Sequence, residues 1–105
     1  MDRLKNKIAI VTGSTSGIGS GIAKTFAAEG AHVVICGRRK ERGEALVAEI
    51  KEQGNSASYH FLDLTDLSTA ESLIDDTAKE FGKIDILVNN AARSLFSVTM
   101  HSLCL

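Results

Sequence analysis

Residues 12–19 read Thr12-Gly13-Ser14-Thr15-Ser16-Gly17-Ile18-Gly19. Three glycines and four hydroxyl residues in eight positions suit one task, holding an anion against bare backbone. Gly13 lets the chain turn sharply with φ unrestricted. Gly17 and Gly19 carry no Cβ, so a pyrophosphate could approach the main chain closely. If a helix begins here, its free N–H groups and its dipole face the same anion. Ser14, Thr15 and Ser16 add hydroxyl donors, and Ile18 lies between the last two glycines. A glycine-rich turn is also what any flexible strand-to-helix connection looks like, so its neighbours must decide. A nucleotide triphosphate loop would need Gly-Lys-Ser/Thr at its end. This stretch continues Gly19-Ser20-Gly21, with no lysine to reach a terminal phosphate.

A second group of residues could also meet an anion. Cys36-Gly37 is followed by Arg38-Arg39-Lys40, and the first acid after these is Glu41. A dinucleotide-binding unit that selects NAD offers an Asp or Glu roughly 20 residues past the glycines, for the ribose 2′-hydroxyl. Here that place is cationic. Three cations at a helix start oppose its dipole, each at a cost of roughly 0.3–1 kcal/mol. A 2′-phosphate would turn the conflict into attraction, and Arg38 could grip it in a bidentate fork with Arg39 assisting. The competing explanation is a solvated charged face, with Glu41 and Glu44 relieving the repulsion.

The elements that would position these groups follow from the hydrophobic period. Residues 7–12 form a short β-branched apolar run, suited to a strand buried on both faces. Residues 17–29 turn helical, with Ile18, Ile22, Phe26 and Ala27 on one predicted face and Gly30 as the stop. Residues 32–36 read as a second strand, 40–53 as a second helix ended by Gly54, and 57–62 as a third strand. A third helix is expected over 66–81, with Leu67, Ala70, Ile74, Ala78 and Phe81 on one stripe and Gly82 closing it. Ser68 and Glu71 have capping-box spacing, and Thr65 and Asp66 are alternative caps. Residues 84–89 complete a fourth strand. The order β-α-β-α-β-α-β implies parallel strands joined by right-handed crossovers. The fold class is therefore α/β, a partial Rossmann fold with strand order 3-2-1-4. A ligand belongs outside the C-terminal ends of the first and fourth strands, where the order reverses.

In that frame the turn resembles the cofactor turn of the short-chain dehydrogenase/reductase family, Thr-Gly-x-x-x-Gly-x-Gly. Three further stretches match in register: Asp63-Leu64 after the third strand, Asp85-Ile86-Leu87-Val88 in the fourth, and Asn89-Asn90-Ala91-Ala92 at its end. The family's usual Asn-Asn-Ala-Gly has Ala92 in place of glycine here. The resemblance covers residues 5 to about 92. It implies that Asp63 and Leu64 hold the adenine, that Asn90 and Ala91 contact the adenosine side of a cofactor, and that Asn89 pins neighbouring strands. It also implies NADP(H) rather than NAD(H), because Arg38 stands where NADP-preferring members carry a basic residue. Asp63 could equally be a turn residue, and the asparagines simple strand terminators.

Family catalysis would use a Tyr-x-x-x-Lys pair, a serine one strand earlier and a supporting asparagine. The one tyrosine, Tyr59, is followed four residues later by Asp63, so no catalytic residue can be assigned. The expectation is a cofactor-binding half-domain over 1–92, inactive alone, whose fourth strand is left as a bare sheet edge. Residues 93–105 form an apolar tail of unassigned structure that either folds back over that edge or is incidental. Three readings stay open: the cofactor half of an oxidoreductase, a non-catalytic NADP(H)-binding or partner-pairing module, and a truncated product without function.

Composition narrows the field. The 105 residues carry a formal net charge of −1, which gives no field for nucleic acid or an anionic membrane. No apolar run approaches the roughly 20 residues of a membrane span. The charged N-terminus leads into no signal-peptide core. Cys36 and Cys104 make neither a disulfide framework nor a metal motif, and His32, His60 and His101 have no ligand spacing. The expected setting is cytoplasmic, with the dinucleotide as partner and self-association or pairing with a full-length relative as the protein–protein alternatives.

Overall fold

The computed structural model describes residues 3–13, 17–63, 65–89 and 97–104, the last eight and Asn89 through their backbone only. Its elements are β1 (Ile8–Thr12), α1 (Gly17–Ala28), β2 (His32–Gly37), α2 (Lys40–Glu52), β3 (Ser56–Phe61), α3 (Leu67–Phe81), β4 (Lys83–Asn89) and β5 (Ser97–Cys104). The strands form one sheet in the order β3-β2-β1-β4-β5. β1 pairs in parallel with both β2 and β4, and β2 with β3. The 3-2-1-4 order expected from the sequence is thus present.

The fourth strand is not a bare edge. β5 runs antiparallel along it, from Asn89 opposite Ser97 to Lys83 opposite Cys104, with an irregularity between Ile84 and Ile86. Of the two readings left open for the tail, folding back on the edge is the one observed for Ser97–Cys104. Pairing satisfies main-chain groups that a bare β4 would leave open.

Two apolar layers hold the sheet. Ala9, Val11, Val33, Ile35, Ala57, Ile86 and Val88 meet Ala23 and Ala27 of α1 and Leu46 and Ile50 of α2. On the other face Ile10, Val34, Cys36 and Ile84 meet Leu73 of α3. Alternate residues of β1 therefore enter different cores, which explains why the strand is apolar throughout. Burial pushes the Cys36 thiol up to about 12, so it behaves as a small hydrophobe.

Two predicted helix stripes need correcting. Ile18 is 65% exposed, and the buried line of α1 is Gly19, Ala23 and Ala27. Small residues at i, i+4 spacing let this helix lie close to the strands, while Ile22 and Phe26 flank the contact. In α3, Leu67 is 76% exposed and Leu73, Thr77 and Ala78 are buried. The helix is capped by Asp66, whose carboxylate accepts the Ser68 N–H at 3.0 Å, rather than by Thr65 or Ser68. Gly82, left-handed at φ 77°, ends it.

At the opposite edge of the sheet from the glycine turn, Asp85 is buried and accepts the Ile8 N–H at 2.9 Å, with Lys83 Nζ at 3.2 Å. Lys83 also donates to the Asn6 carbonyl. This carboxylate joins the start of β1 to β4. Among the described residues no helix is long and apolar enough to cross a membrane, and no cluster of side chains could hold a metal ion.

Candidate functional site

Because β1 to β4 are parallel, their C-terminal ends meet along one edge of the sheet. Thr12, Gly37, Phe61 and Asn89 end these strands, and the segments that follow carry the residues singled out in the sequence. β1 lies between β2 and β4 at the switch point. There the Thr12 hydroxyl donates to the Val88 carbonyl at 3.2 Å, clamping the two strands beside the turn.

Gly13 leaves β1 with φ 66°, a left-handed conformation that favours glycine. Gly17 opens α1, and Gly19 is buried in its first turn. A Cβ placed on Gly17 would meet nothing within 4 Å, and its φ is not left-handed. Among the described residues nothing therefore requires glycine there, whereas an anion approaching the backbone would. Ser14, Thr15, Ser16, Leu64, Asn90 and Ala91 lie outside the described residues.

The β2–α2 turn carries Arg38 and Arg39, both exposed. Arg39 holds the N-cap position with extended backbone (φ −97°, ψ 93°) and makes no side-chain capping bond. Glu41 is the only acid in the first turn. Among the described residues, Arg38, Arg39, Lys40 and Arg42 make no ion pair with a carboxylate. Four unpaired cations thus surround a helix start that lacks a cap, an arrangement that repels itself without an anion.

Asp63 faces the same edge from β3. Its Oδ1 accepts the Thr65 hydroxyl at 2.8 Å and the Thr65 N–H at 3.0 Å. Its own N–H donates to the Thr69 hydroxyl at 3.0 Å. The Thr65 hydroxyl and amide, and more weakly the Arg38 guanidinium, hold the Asp63 carboxyl below the usual carboxylate range. Asp63 is therefore a turn residue, as one reading had it. Oδ2 has no partner among the described residues, so the turn role leaves one oxygen for a ligand.

Two residues that build this edge, Gly43 and Thr69, were not singled out from the sequence; Thr12 entered only as the start of the turn motif, and Tyr59 only as a tyrosine without a following lysine. The Tyr59 hydroxyl donates to the Gly37 carbonyl at 2.5 Å. A Cβ on Gly43 would lie 2.1 Å from the Tyr59 ring. A glycine inside a helix was the available signal, since it costs roughly 1 kcal/mol relative to alanine unless space demands it. Two histidines are held by other partners: His32 bonds Ser56 and Ser58, and His60 bonds Asp76.

A glycine-rich segment at the switch point of a 3-2-1-4 sheet marks a dinucleotide-binding α/β unit. The family model described as short chain dehydrogenase matches residues 7–104, and the chain belongs to that family. It is 42% identical over 94 residues to a fatty acyl-CoA reductase of Acinetobacter baylyi, covering 90% of this chain and 32% of that protein. It is 47% identical over 90 residues to a galactitol 2-dehydrogenase of Agrobacterium fabrum, covering 86% and 34%. Among solved structures, a short chain dehydrogenase from Burkholderia cenocepacia in complex with NADP superposes with TM-score 0.75 at 41% identity, over 82% of this chain and 36% of that one. The chain spans about a third of the length of the curated relatives it matches.

Proposed function

We propose that this chain is the NADP(H)-binding portion of an oxidoreductase of the short-chain dehydrogenase/reductase type. The observation that carries the choice of cofactor is the start of α2, without a side-chain cap and carrying Arg38, Arg39, Lys40 and Arg42, which make no ion pair with a carboxylate among the described residues. Gly37 precedes it where an NAD-selective unit would place an acid. A 2′-phosphate is nearly dianionic at neutral pH and would neutralise this cluster. Two structural relatives, including one from a metagenome at 32% identity, are described as complexes with NADP, which supports the same reading.

In this reading the turn at Gly13, Ser14, Thr15, Ser16, Gly17, Ile18 and Gly19 holds the pyrophosphate. Arg38 and Arg39 hold the 2′-phosphate, Asp63 and Leu64 the adenine, and Asn90 and Ala91 the adenosine side. The cofactor, when bound, supplies hydride chemistry between an alcohol and a carbonyl. The chain's own contribution is to bind and orient it. The only tyrosine is committed to the Gly37 carbonyl and has no lysine four residues on. This favours binding without turnover by these 105 residues alone.

Arg38→Ala tests the assignment. Charge-assisted hydrogen bonds contribute roughly 1.5–3 kcal/mol, so 2′,5′-ADP should bind about ten- to a hundredfold more weakly. Binding of 5′-AMP should be nearly unchanged, because its contacts do not involve this side chain. Equal losses for both nucleotides in isothermal titration would sink the assigned role of Arg38.

A further inference from the structure

The β2–α2 turn has few local anchors. Its first fixed point is the Gly37 carbonyl, which accepts the Leu62 N–H at 3.1 Å. Its second is the Arg39 carbonyl, which accepts the Gly43 N–H at 3.0 Å. No side-chain cap holds the residues between. One side chain reaches both ends. Tyr59 stands on β3, two residues before Phe61, which is the register partner of Gly37. Its hydroxyl donates to the Gly37 carbonyl, and its ring fills the space a Gly43 side chain would need.

We propose that Tyr59 is a positioning residue for cofactor choice: by holding Gly37 with its hydroxyl and α2 with its ring, it fixes the turn on which Arg38 and Arg39 stand. This rests on the NADP(H) reading above. Two arginines on a loose turn would lose part of their advantage to the entropy of ordering them around a phosphate. A turn held at both ends presents them already in place. Burial, with the Glu44 charge adding to it, moves the Tyr59 phenol above its ordinary value, so it remains a hydrogen-bond donor at neutral pH.

Tyr59→Phe keeps the ring against Gly43 and removes the donor. Titrating 2′,5′-ADP and 5′-AMP against the full chain should show the ratio of their affinities falling about three- to tenfold, the worth of one hydrogen bond. The 5′-AMP affinity should stay within about twofold. Arg38→Ala, run in parallel, separates the two claims. If it abolishes the preference while Tyr59→Phe leaves the ratio unchanged, the positioning role is wrong and the NADP(H) reading stands. If Arg38→Ala also leaves the ratio unchanged, the assigned role of Arg38 fails together with the positioning role. The wild-type chain offers an independent readout, because it contains one tyrosine and no tryptophan. Its intrinsic emission therefore reports Tyr59 alone. A turn already in place should give the same emission change with saturating 2′,5′-ADP as with saturating 5′-AMP, whose adenine absorbs identically. A markedly larger change with 2′,5′-ADP would show the turn rearranging around the phosphate and overturn the proposal even if the phenylalanine variant did not fold.

Discussion

Asp85 shows how one side chain can organise a sheet far from any ligand. Burial pushes its carboxyl up, but the Ile8 N–H, Lys83 and Lys7 outweigh that and leave it below the ordinary carboxylate value. Its contribution to stability is therefore fully present above the unfolded-state value, roughly pH 4, and is lost as pH falls through the lower folded-state value. Asp85→Asn should cost about 1–3 kcal/mol at neutral pH, the range for disrupting a buried hydrogen-bonded group. The difference from wild type should shrink as the pH is taken below about 4. Urea denaturation of both proteins at the two pH values checks this. A difference that does not change with pH would show that the charge of Asp85 does not matter. The sequence marked Asp85 only as part of a family-like stretch, because its partner is a backbone N–H 77 positions away, beyond the reach of any local pattern.

At the scale of elements, α1 and α2 each contain an interior glycine, and the two should respond oppositely to alanine. Gly21 in α1 has open space around its missing Cβ, so Gly21→Ala should stabilise the chain by roughly 0.5–1 kcal/mol. Gly43 in α2 would drive its Cβ into the Tyr59 ring, so Gly43→Ala should destabilise despite the better helix propensity. Thermal melts decide the matter by sign, and a stabilised Gly43→Ala would mean the ring gives way freely. Strand and helix order were legible from periodicity and from Gly30, Gly54 and Gly82, all left-handed in the structure. The buried faces were less so. Ile18 and Leu67 sit in the first turns of their helices, which lie at the sheet edge rather than over the core. Apolar identity alone placed them inside; Ala27 was placed correctly by its spacing, while Gly19 and Ala23 gave no hydrophobic signal strong enough to mark the rest of the contact. Of the site, the glycines, the arginines and Asp63 were legible from type and spacing. Tyr59 and Gly43 were not, because their relation exists only once β3 lies beside α2.

At the scale of the molecule, β5 covers β4 and becomes the outer strand, with β3 at the other margin. The parallel order carries the glycine turn, the arginine turn and the Asp63 turn to one edge. α1 and α2 lie on one face and α3 on the other, so the crossovers diverge at β1 and leave the crevice in which the account places the cofactor. Family membership is established over residues 7–104, and choice of cofactor is the claim that extends it. The most direct test is isothermal titration of the wild-type chain with 2′,5′-ADP and with 5′-AMP under the same salt and pH. 2′,5′-ADP should bind at least about tenfold more tightly, the worth of one charge-assisted bond to the 2′-phosphate. Equal affinity for the two nucleotides would contradict it.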